Sequence, residues 1–411
     1  MLRSLRNTVS LVWRSLLNRR TTALLTVASI AVSIALLSAV DRIRTDAQAS
    51  FENTISSTDL IIGARSGELN LLLYSVFRIG NPTNNIDWTS YEAIASQREV
   101  AWTIPLSLGD AHRGYRVLGT NLSYFEHYRY ADQRPLEFAS GKSFDSPIEA
   151  VIGAEVAAQL DYTVGSEIVV SHGVGETSFI EHDDNPFVVS GILARTGTPV
   201  DRTVHITLRG MDLIHDKDPG TIPTHEYAPS EITAVLVGLQ SRISIFTLQR
   251  FVNEYEPEAL SAIIPGVALQ QLWGLIGVAE NALLGVSAMV VLAGVLGLLT
   301  TLLVNLNERR REMSVLRSVG ASPGHVFGLL VAEAALLALA GAVCGLLIVQ
   351  VGAFAAGQWA QSAVGIELSV GLRSFDVYVL LGIVVLAVLI STIPAWRAYR
   401  NSLADGLTVR L

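Results

Sequence analysis

Residues 21–40 read TTALLTVASIAVSIALLSAV, twenty positions without a charged side chain that begin directly after Arg20. An α-helix needs about 20 consecutive apolar residues to cross the hydrocarbon core of a bilayer. Three later stretches are similarly apolar, at residues 281–307, 326–356 and 377–395, and Glu333 is the one charged residue in them. The hydropathy pattern therefore predicts an α-helical membrane protein with four transmembrane helices.

The composition agrees with such a protein. Of its 411 residues, 50% are hydrophobic and 16% are charged, which is too apolar for a typical soluble enzyme. The formal net charge is −8, and the acids concentrate in the middle of the chain, so we expect no basic face for nucleic acid. The single cysteine, Cys344, excludes a disulfide within the chain and a cysteine-based zinc site. We expect it to be a small buried side chain.

Arginine placement predicts the orientation, because short cytoplasmic loops carry an excess of arginine and lysine. Arginines cluster before the first span, between the second and third, and after the fourth, whereas the loop between the third and fourth contains only Arg373. Both termini are therefore predicted to be cytoplasmic. The predicted segments are an amphipathic helix on the membrane lipid at 1–20, spans at 21–43, 281–307, 326–356 and 377–396, an outer domain at 44–280, a cytoplasmic loop at 308–325, a short outer loop at 357–376 and a cytoplasmic tail at 397–411.

The outer segment has the character of a soluble α+β domain. Runs rich in Val and Ile, separated by Gly and Pro clusters, are typical of strands. Such runs occur at 151–152, 168–170, 187–189, 204–208 and 232–237, and helical patterns occur at 91–95 and 154–160. The predicted fold class is thus a four-helix membrane protein with an α+β extracytoplasmic domain inserted between helices 1 and 2.

The loop and the tail resemble those of FtsX-like permeases, the membrane subunits of ABC transporters of the MacB, LolC/LolE and FtsX type. Residues 308–323 read ERRREMSVLRSVGASP and resemble the family's R-x-x-E-I-x-x-L-R-A-x-G-A stretch. Residues 393–400 read IPAWRAYR and resemble its C-terminal P-A-x-R-A motif. The outer segment is similar to the family's periplasmic core domain at VLGTN (117–121), VIGAEVA (151–157) and VSGIL (189–193).

The resemblance implies a permease subunit without catalytic residues. A separate cytoplasmic ATPase dimer holds ATP and Mg²⁺, and its motion passes through the spans to the outer domain, a mechanotransmission that exports, extracts or handles a lipoprotein, peptide or small molecule. The permease pairs with a second copy or a related chain in the bacterial inner membrane. A periplasmic substrate-binding or adaptor protein is a further expected partner, and this chain is expected to bind no cofactor itself.

The loop between the second and third spans is charged, short and tethered at both ends, which suits a helix that docks into a partner's groove. Its expected ATPase-coupling residues, assigned largely from the resemblance, are Glu312, Met313, Leu316, Arg317, Gly320 and Ala321. Arg309, Arg310 and Arg311 are better explained by membrane topology and anionic lipid. Glu333, early in the third span, is expected to anchor this loop rather than relay protons.

Two glycines in the third span form a G-x-x-x-G motif, Gly341 and Gly345. Small residues four apart let helix backbones approach closely. The motif predicts helix packing, either within one chain or across a dimer.

Gly141-Lys142-Ser143 has the ending of a phosphate-binding loop, but that loop needs a further glycine at 136, where the chain has Leu136. We therefore reject a nucleotide site here and expect the ATPase on another chain. No serine, histidine and aspartate in the outer segment form a recognisable nucleophile elbow, so no catalytic residue is predicted.

Five of the eight histidines fall within residues 172–225, among many acids. Imidazole and carboxylate groups together suit zinc. The candidate ligands are His172, His182, Asp183, Asp184 and His205. The alternative is a solvated acidic loop with scattered histidines, which the absence of close histidine spacing favours.

Two alternative functions remain open. The chain is an FtsX-like signalling scaffold that activates a periplasmic partner, or it is the permease of a divalent-metal system with a His/Asp-rich outer site. The size of the outer segment favours the transporter over the scaffold, and only the histidine-rich window favours the metal system.

Overall fold

The computed structural model describes residues 19–54, 56–172, 186–214, 227–308, 322–364 and 368–404. Contacts divide the chain into two compact units. The helical unit takes its described residues from Met1–Asp46, Val278–Trp359 and Leu368–Leu411, and the inserted domain takes its own from Ala47–Gly277 and Ala360–Glu367.

Four long helices carry the helical unit: α1 (Arg20–Asn53), α8 (Pro265–Glu308), α9 (Pro323–Val364) and α10 (Ser374–Ala404). Each contains a stretch that is long and apolar enough to cross a membrane, within Arg20–Asn53, Pro265–Val304, Gly324–Gly357 and Ser374–Trp396. The predicted number and order of spans are confirmed.

All four helices are longer than their predicted spans. The 34 residues of α1 and the 44 residues of α8 correspond to about 50 and 65 Å at about 1.5 Å per residue, whereas the hydrocarbon core is about 30 Å thick. α8 begins at Pro265 rather than at 281, and α9 continues to Val364 rather than ending at 356. Hydropathy marks only the apolar part of a helix, and so it misses extensions that contain glutamine and glycine.

Apolar side chains lie both inside and outside the bundle of four helices. Its interior is built from small and branched side chains such as Ile30, Ile34, Val295, Leu298, Ala338, Ala342, Ile383 and Ala387. Its outer surface exposes large apolar side chains, among them Leu25, Val278 and Phe354, as expected where lipid replaces water. Cys344 lies on this exposed surface, so the expectation of a buried cysteine was wrong. Its position on the helix turns it away from the neighbouring helices.

Among its described residues, the inserted domain contains a mixed sheet of eleven strands, two further sheets of two strands each, six short helices and the first part of a long one. The strands are β1 (Leu60–Ala64), β2 (Ile86–Asp87), β3 (Val100–His112), β4 (Tyr115–Thr120), β5 (Arg129–Tyr130), β6 (Arg134–Pro135), β7 (Phe138–Gly141), β8 (Glu149–Ile152), β9 (Glu167–Ile168), β10 (Ser171–His172), β11 (Phe187–Leu193), β12 (Thr203–Thr207), β13 (Glu231–Ile232), β14 (Ala234–Leu239) and β15 (Leu260–Ile263). The helices are α2 (Glu68–Ser75), α3 (Trp88–Ala95), α4 (Ser123–His127), α5 (Ala154–Leu160), α6 (Leu208–Leu213), α7 (Ile245–Asn253) and the first part of α8, with single 3₁₀ turns at Pro199–Arg202 and Arg242–Ser244.

The main sheet has the order β15-β1-β14-β3-β4-β12-β8-β11-β7, with β10 beside β3 and β9 beside β11. The pairs β4–β12 and β8–β11 are parallel, and the other neighbours are antiparallel. Strand β1 contributes Ile61 to one apolar cluster and Leu60 and Ile62 to another. Because both faces are covered, such a strand is apolar throughout rather than alternating.

The fold class predicted for this domain is confirmed, and the predicted strand runs correspond to β8, β9, β11, β12 and the β13–β14 region. The longest strand, β3, was not predicted. It contains Pro105 and Gly109, which break the usual strand pattern. The register with β4 is irregular between Leu108 and Ala111, around Gly109, whereas Pro105 is paired regularly with Val235 of β14.

Gly141 ends strand β7 and faces Gly191 of β11. Its φ of +73° lies in the left-handed region, and a Cβ at this position would lie 2.1 Å from the carbonyl oxygen of Ser190. No helix begins in the described residues 142–148 that follow, and a phosphate-binding loop needs one. The glycine of Gly141-Lys142-Ser143 therefore has a structural role at the edge of the sheet.

Replacement of Gly141 by Ala is expected to destabilise the inserted domain by about 2 kcal/mol or more, because it combines a left-handed backbone with a clash against main chain. The matched control is Gly109→Ala, where a Cβ meets no atom within 4 Å and φ is not positive. Thermal unfolding of both variants checks this expectation, and equal midpoints would contradict it.

Candidate functional site: a buried charge cluster in the helical unit

Arg42 lies in the second half of α1 and is only 2% exposed. Its guanidinium donates four hydrogen bonds. Nη1 donates to Oε1 of Gln350 (3.0 Å) and to the Ser369 carbonyl (3.0 Å), and Nη2 donates to the Gly371 carbonyl (2.8 Å) and to Oδ2 of Asp376 (3.0 Å). One side chain of the first span thus contacts α9, the α9–α10 connection and α10.

Asp46 lies one turn after Arg42 on the same face of α1, because residues four apart lie above one another on a helix. Its Oδ2 accepts a hydrogen bond from the backbone N–H of Ser369 (3.1 Å). Its other oxygen, Oδ1, forms an ion pair with Arg373, whose guanidinium also contacts Thr45. The positive charge of Arg42 and the negative charge of Asp46, both on α1, therefore bind the connection between α9 and α10.

Gln350 of α9 completes the contacts to that connection. Its Nε2 donates to the Gly371 carbonyl (2.8 Å), and its Oε1 accepts from the Gly371 N–H (2.9 Å). Gly371 has a φ of +141°, which side chains with a Cβ rarely adopt. The carboxamide and the guanidinium together fix this turn.

Asp376 also stabilises the start of α10. It is the third residue of the helix and accepts the backbone N–H of Arg373 (3.2 Å), as the acidic residue of a capping box does. A carboxylate in the first turn interacts favourably with the helix dipole. Asp376 thus caps its own helix and neutralises Arg42.

Exposed aromatic side chains indicate the depth of this cluster in the membrane. Tyr378 and Trp396 are 72% and 58% exposed on α10. They are eighteen positions apart (396 − 378), about 27 Å along a helix, close to the roughly 30 Å of the hydrocarbon core. Tyrosine and tryptophan concentrate at the two membrane interfaces. Asp376, two residues before Tyr378, therefore lies at the level of one interface.

The cluster is a buried ion pair with its hydrogen bonds largely satisfied. The Arg42 and Asp376 side chains are each 3% exposed. Removing one partner of such a pair costs about 3–5 kcal/mol, because the other charge stays buried without compensation. Nearby, Arg44 of α1 pairs with Glu280 of α8, but the Arg44 side chain is 45% exposed, and exposed pairs contribute about 0–1 kcal/mol.

Close backbone contact joins α1 to α9 deeper in the bundle. A Cβ on Gly341 would lie 2.7 Å from Cβ of Ile30, and a Cβ on Gly345 would lie 2.6 Å from the Ala31 carbonyl oxygen. The G-x-x-x-G motif therefore packs against the first span of its own chain.

Small polar side chains join α1 to α8. Ser33 donates to the carbonyl oxygen of Val290 on α8 at 3.1 Å, and a Cβ on Gly294 would lie 2.9 Å from Ser33 Oγ. The hydroxyls of Thr26 and Thr301 are 3.3 Å apart. Helix α1 thus contacts α8, α9 and α10.

The residues expected to couple to an ATPase lie outside the described part of the chain: Glu312, Met313, Leu316, Arg317, Gly320 and Ala321. Their role stays a prediction, as does the amphipathic helix at 1–20, of which residues 1–18 are not described. Glu333 is 3% exposed in α9, and its predicted contact with the loop concerns residues that are likewise outside the described ranges.

The predicted metal ligands divide in the same way. Side chains of His172, His182, Asp183 and Asp184 are not among those described. His205 on β12 is fully buried, and its Nδ1 lies 3.1 Å from the Val151 carbonyl oxygen. Within the described residues, no three His, Cys, Asp or Glu side chains form a metal-ligating group. Zinc binding stays a prediction that rests on the sequence.

Aromatic rings enclose His205: its ring centroid is 5.0 Å from that of Tyr124 and 6.0 Å from that of Phe125. Burial lowers the pKa of His205 to about 3, and the positive charge of Arg78 acts in the same direction. The histidine is therefore neutral at ordinary pH, and its described contacts are those of a core side chain.

Sequence reasoning missed the charge cluster. Its five side chains come from three segments, of which the first lies more than 300 positions before the other two: Arg42, Asp46, Gln350, Arg373 and Asp376. The available signal was the i, i+4 pair Arg42 and Asp46 beside an apolar span, together with an acid and an arginine next to another span. Intramembrane and boundary charges of this kind indicate partners by default.

Comparison with known families agrees with this architecture. The model of the MacB-like periplasmic core domain matches residues 23–250, more than half of the chain, and that of the FtsX-like permease C-terminal region matches residues 284–403. The chain belongs to the FtsX/MacB type of ABC transporter permease, so the resemblance stated from its motifs is confirmed.

The chain is also similar, over part of its length, to individual proteins and solved structures. The macrolide export ATP-binding/permease protein MacB of Nitrobacter winogradskyi is 32% identical over 134 residues, which span 31% of this chain and 19% of that protein. The periplasmic region of MacB from Actinobacillus actinomycetemcomitans aligns at 12% identity over 53% of this chain and 94% of its own, with a TM-score of 0.34. The extracellular domain of the noncanonic ABC-type transporter YknZ from Gram-positive bacteria aligns at 13% identity over 50% and 98%, with a TM-score of 0.31.

Replacement of Gly345 by Ala is expected to loosen the α1–α9 contact and to lower the free energy of unfolding by about 1–3 kcal/mol, the usual cost of overpacking. The matched control is Gly352→Ala on the same helix, where a Cβ meets no atom within 4 Å. Since alanine is the better helix former, this control is expected to be neutral or stabilising. Thermal unfolding of the full chain in detergent compares them, and a Gly345→Ala variant as stable as the control would refute the contact.

His205 predicts a pH dependence of stability. Its folded pKa of about 3 lies below the unfolded value of about 6.5, so the unfolded chain binds an extra proton between these values. Stability should therefore fall as pH decreases from about 6.5, by up to about 1.4 kcal/mol per pH unit from this group. In His205→Asn, which keeps a donor near the Nδ1 position, that slope should be smaller. Unfolding midpoints at pH 7, 6 and 5 measure it, and parallel curves would contradict the assignment.

Proposed function

We propose that this chain is the permease subunit of an ABC transporter and that it transmits the movement of a separate cytoplasmic ATPase to the inserted domain. The supporting observation is the continuity of two helices with that domain along the chain. α1 runs unbroken from Arg20 to Asn53, and only residues 54–59 precede β1. β15 ends at Ile263, and α8 begins at Pro265.

The second of these junctions leaves no room for a flexible linker. The carbonyl oxygen of Ile264, the one residue between β15 and α8, already accepts the N–H groups of Val267 and Ala268 at 3.0 and 3.1 Å. A helix joined in this way to a central sheet transmits a push, a pull or a rotation, whereas a glycine-rich linker would absorb it.

The arginine distribution supports an orientation with cytoplasmic termini in the bacterial inner membrane. The ATPase, with its ATP and Mg²⁺, would then meet the 308–325 loop through Glu312, Met313, Leu316, Arg317, Gly320 and Ala321. A second permease copy or a related chain would complete the complex, and a periplasmic adaptor would extend it. The cargo would be a lipoprotein, a peptide or a small molecule.

Purification of the tagged chain from native membranes tests the ATPase partnership. We expect an ATP-hydrolysing subunit to copurify with the native chain and to be lost when Glu312 and Leu316 are both replaced by Ala. The control replaces the exposed pair Lys142 and Asp145 of the inserted domain by Gln and Asn and should retain the subunit. Absence of any ATPase from the native preparation would contradict the proposal.

Three glycines inserted between Ile264 and Pro265 test the transmission itself. The inserted variant is expected to keep the ATPase and its hydrolysis but to lose any ATP-dependent change in amide hydrogen exchange within the inserted domain. An undiminished ATP response in this variant would show that the α8 junction does not carry the movement.

A further inference from the structure

The α9–α10 connection is held at its backbone, not merely at its side chains. Arg42 donates to the carbonyl oxygens of Ser369 and Gly371, and Asp46 accepts the N–H of Ser369. A backbone segment bound by both charges of one helix face cannot shift along that helix without breaking several buried bonds together.

One observation and one general principle point to a role of these contacts beyond the stability of the spans. First, four of the five guanidinium N–H groups of Arg42 are used, and they go to three different elements. Second, an apolar core of similar volume is commonly as stable as a buried ion pair. Directional contacts of this kind fix a register, which apolar packing does not.

We infer that the charge cluster is a mechanical latch that makes α1 and the connection at 368–373 move as one body. Displacement of α1 then carries the start of α10 with it, through Asp376. The consequence for transport rests on the proposed function, while the latch itself is a property of the chain alone.

Two residues after Arg42, α1 contacts α8 through a more exposed ion pair. The Arg44–Glu280 pair is partly exposed and is accordingly weaker. The latch belongs to the side of α1 that bears Arg42 and Asp46, because these two side chains bond to the backbone of the α9–α10 connection. A local test is therefore possible.

The test replaces both charges by apolar side chains, Arg42→Met together with Asp376→Leu, so that no charge is left buried and unpaired. Spin labels on cysteines at Ile43 and Val370, which are 55% and 60% exposed, report the distance between α1 and the connection. Labels at Ile43 and Val278, the latter 75% exposed, report the α1–α8 distance as the matched control. A Cys344→Ser background removes the one native thiol.

The full chain is measured in lipid nanodiscs without nucleotide. In the native chain we expect one narrow distance for each pair. In the double variant we expect the Ile43–Val370 distance to lose its single narrow value while the Ile43–Val278 distance keeps it. A narrow Ile43–Val370 distance in the variant overturns the latch, and broadening of both pairs overturns it as well, in favour of a general stabilising role.

This measurement needs no ATPase. A chain that copurifies with no ATPase would refute the proposed function and leave the distance result intact. Conversely, an unchanged distance in the double variant would refute the latch and leave the ATPase partnership intact.

Discussion

A guanidinium that leaves water must find acceptors within the protein, and the burial of Arg42 imposes this requirement on the helical unit. Its acceptors come from Gln350, from two carbonyl groups of the α9–α10 connection and from Asp376. Each acceptor fixes another feature: the orientation of a side chain on α9, the turn at Gly371 and the first turn of α10. One buried charge thereby determines how three helices meet at a membrane interface.

Deeper in the bundle the same helix is held by a different force. Lipid tails are as apolar as leucine, so helices gain little from hydrophobic burial against each other and associate through close packing and hydrogen bonds. Gly341 and Gly345 bring α9 against the backbone of α1, and Ser33 bonds to the α8 carbonyl of Val290. Helix α1 therefore packs against small residues of its neighbours in the hydrocarbon region, and its charged side chains bind the α9–α10 connection where the membrane meets water.

The sequence predicts well those features that depend on local pattern. Four apolar stretches located the spans, and alternation or apolar runs located strands such as β11 and β12. Features that depend on distant partners were beyond it. The G-x-x-x-G motif predicted close packing of helices, but only the structure shows that its partner is α1. The charge cluster joins residues about 330 positions apart (376 − 42), and no periodicity connects them. Strand β3 was not predicted because it contains Pro105 and Gly109, and its register with β4 is irregular around Gly109.

A residue type that suits a functional role is sometimes required by the fold instead. Gly141 with Lys142 and Ser143 suggests phosphate binding, but the glycine is needed for a left-handed turn against Ser190. His205 is a candidate metal ligand whose ring lies beside Tyr124 with Nδ1 against a backbone carbonyl, and zinc binding stays a prediction. Arg42 and Asp376 each lie beside an apolar stretch, and only the structure shows that they are partners.

The stiffness of α1 and of its contacts with neighbouring helices connects the glycine packing with the charge cluster. The transmission of movement proposed for this chain requires elements that do not yield between the point where force enters and the point where work is done. A helix resists bending and stretching because each turn is bonded to the next, and α1 continues past its apolar span to Asn53, with six residues between it and β1. Its weakest points are then its contacts with neighbouring helices, since a stiff helix in a loose bundle would slide. Close glycine packing resists separation from α9, and the buried charges resist sliding past the α9–α10 connection, so the two kinds of contact constrain different movements of the same helix.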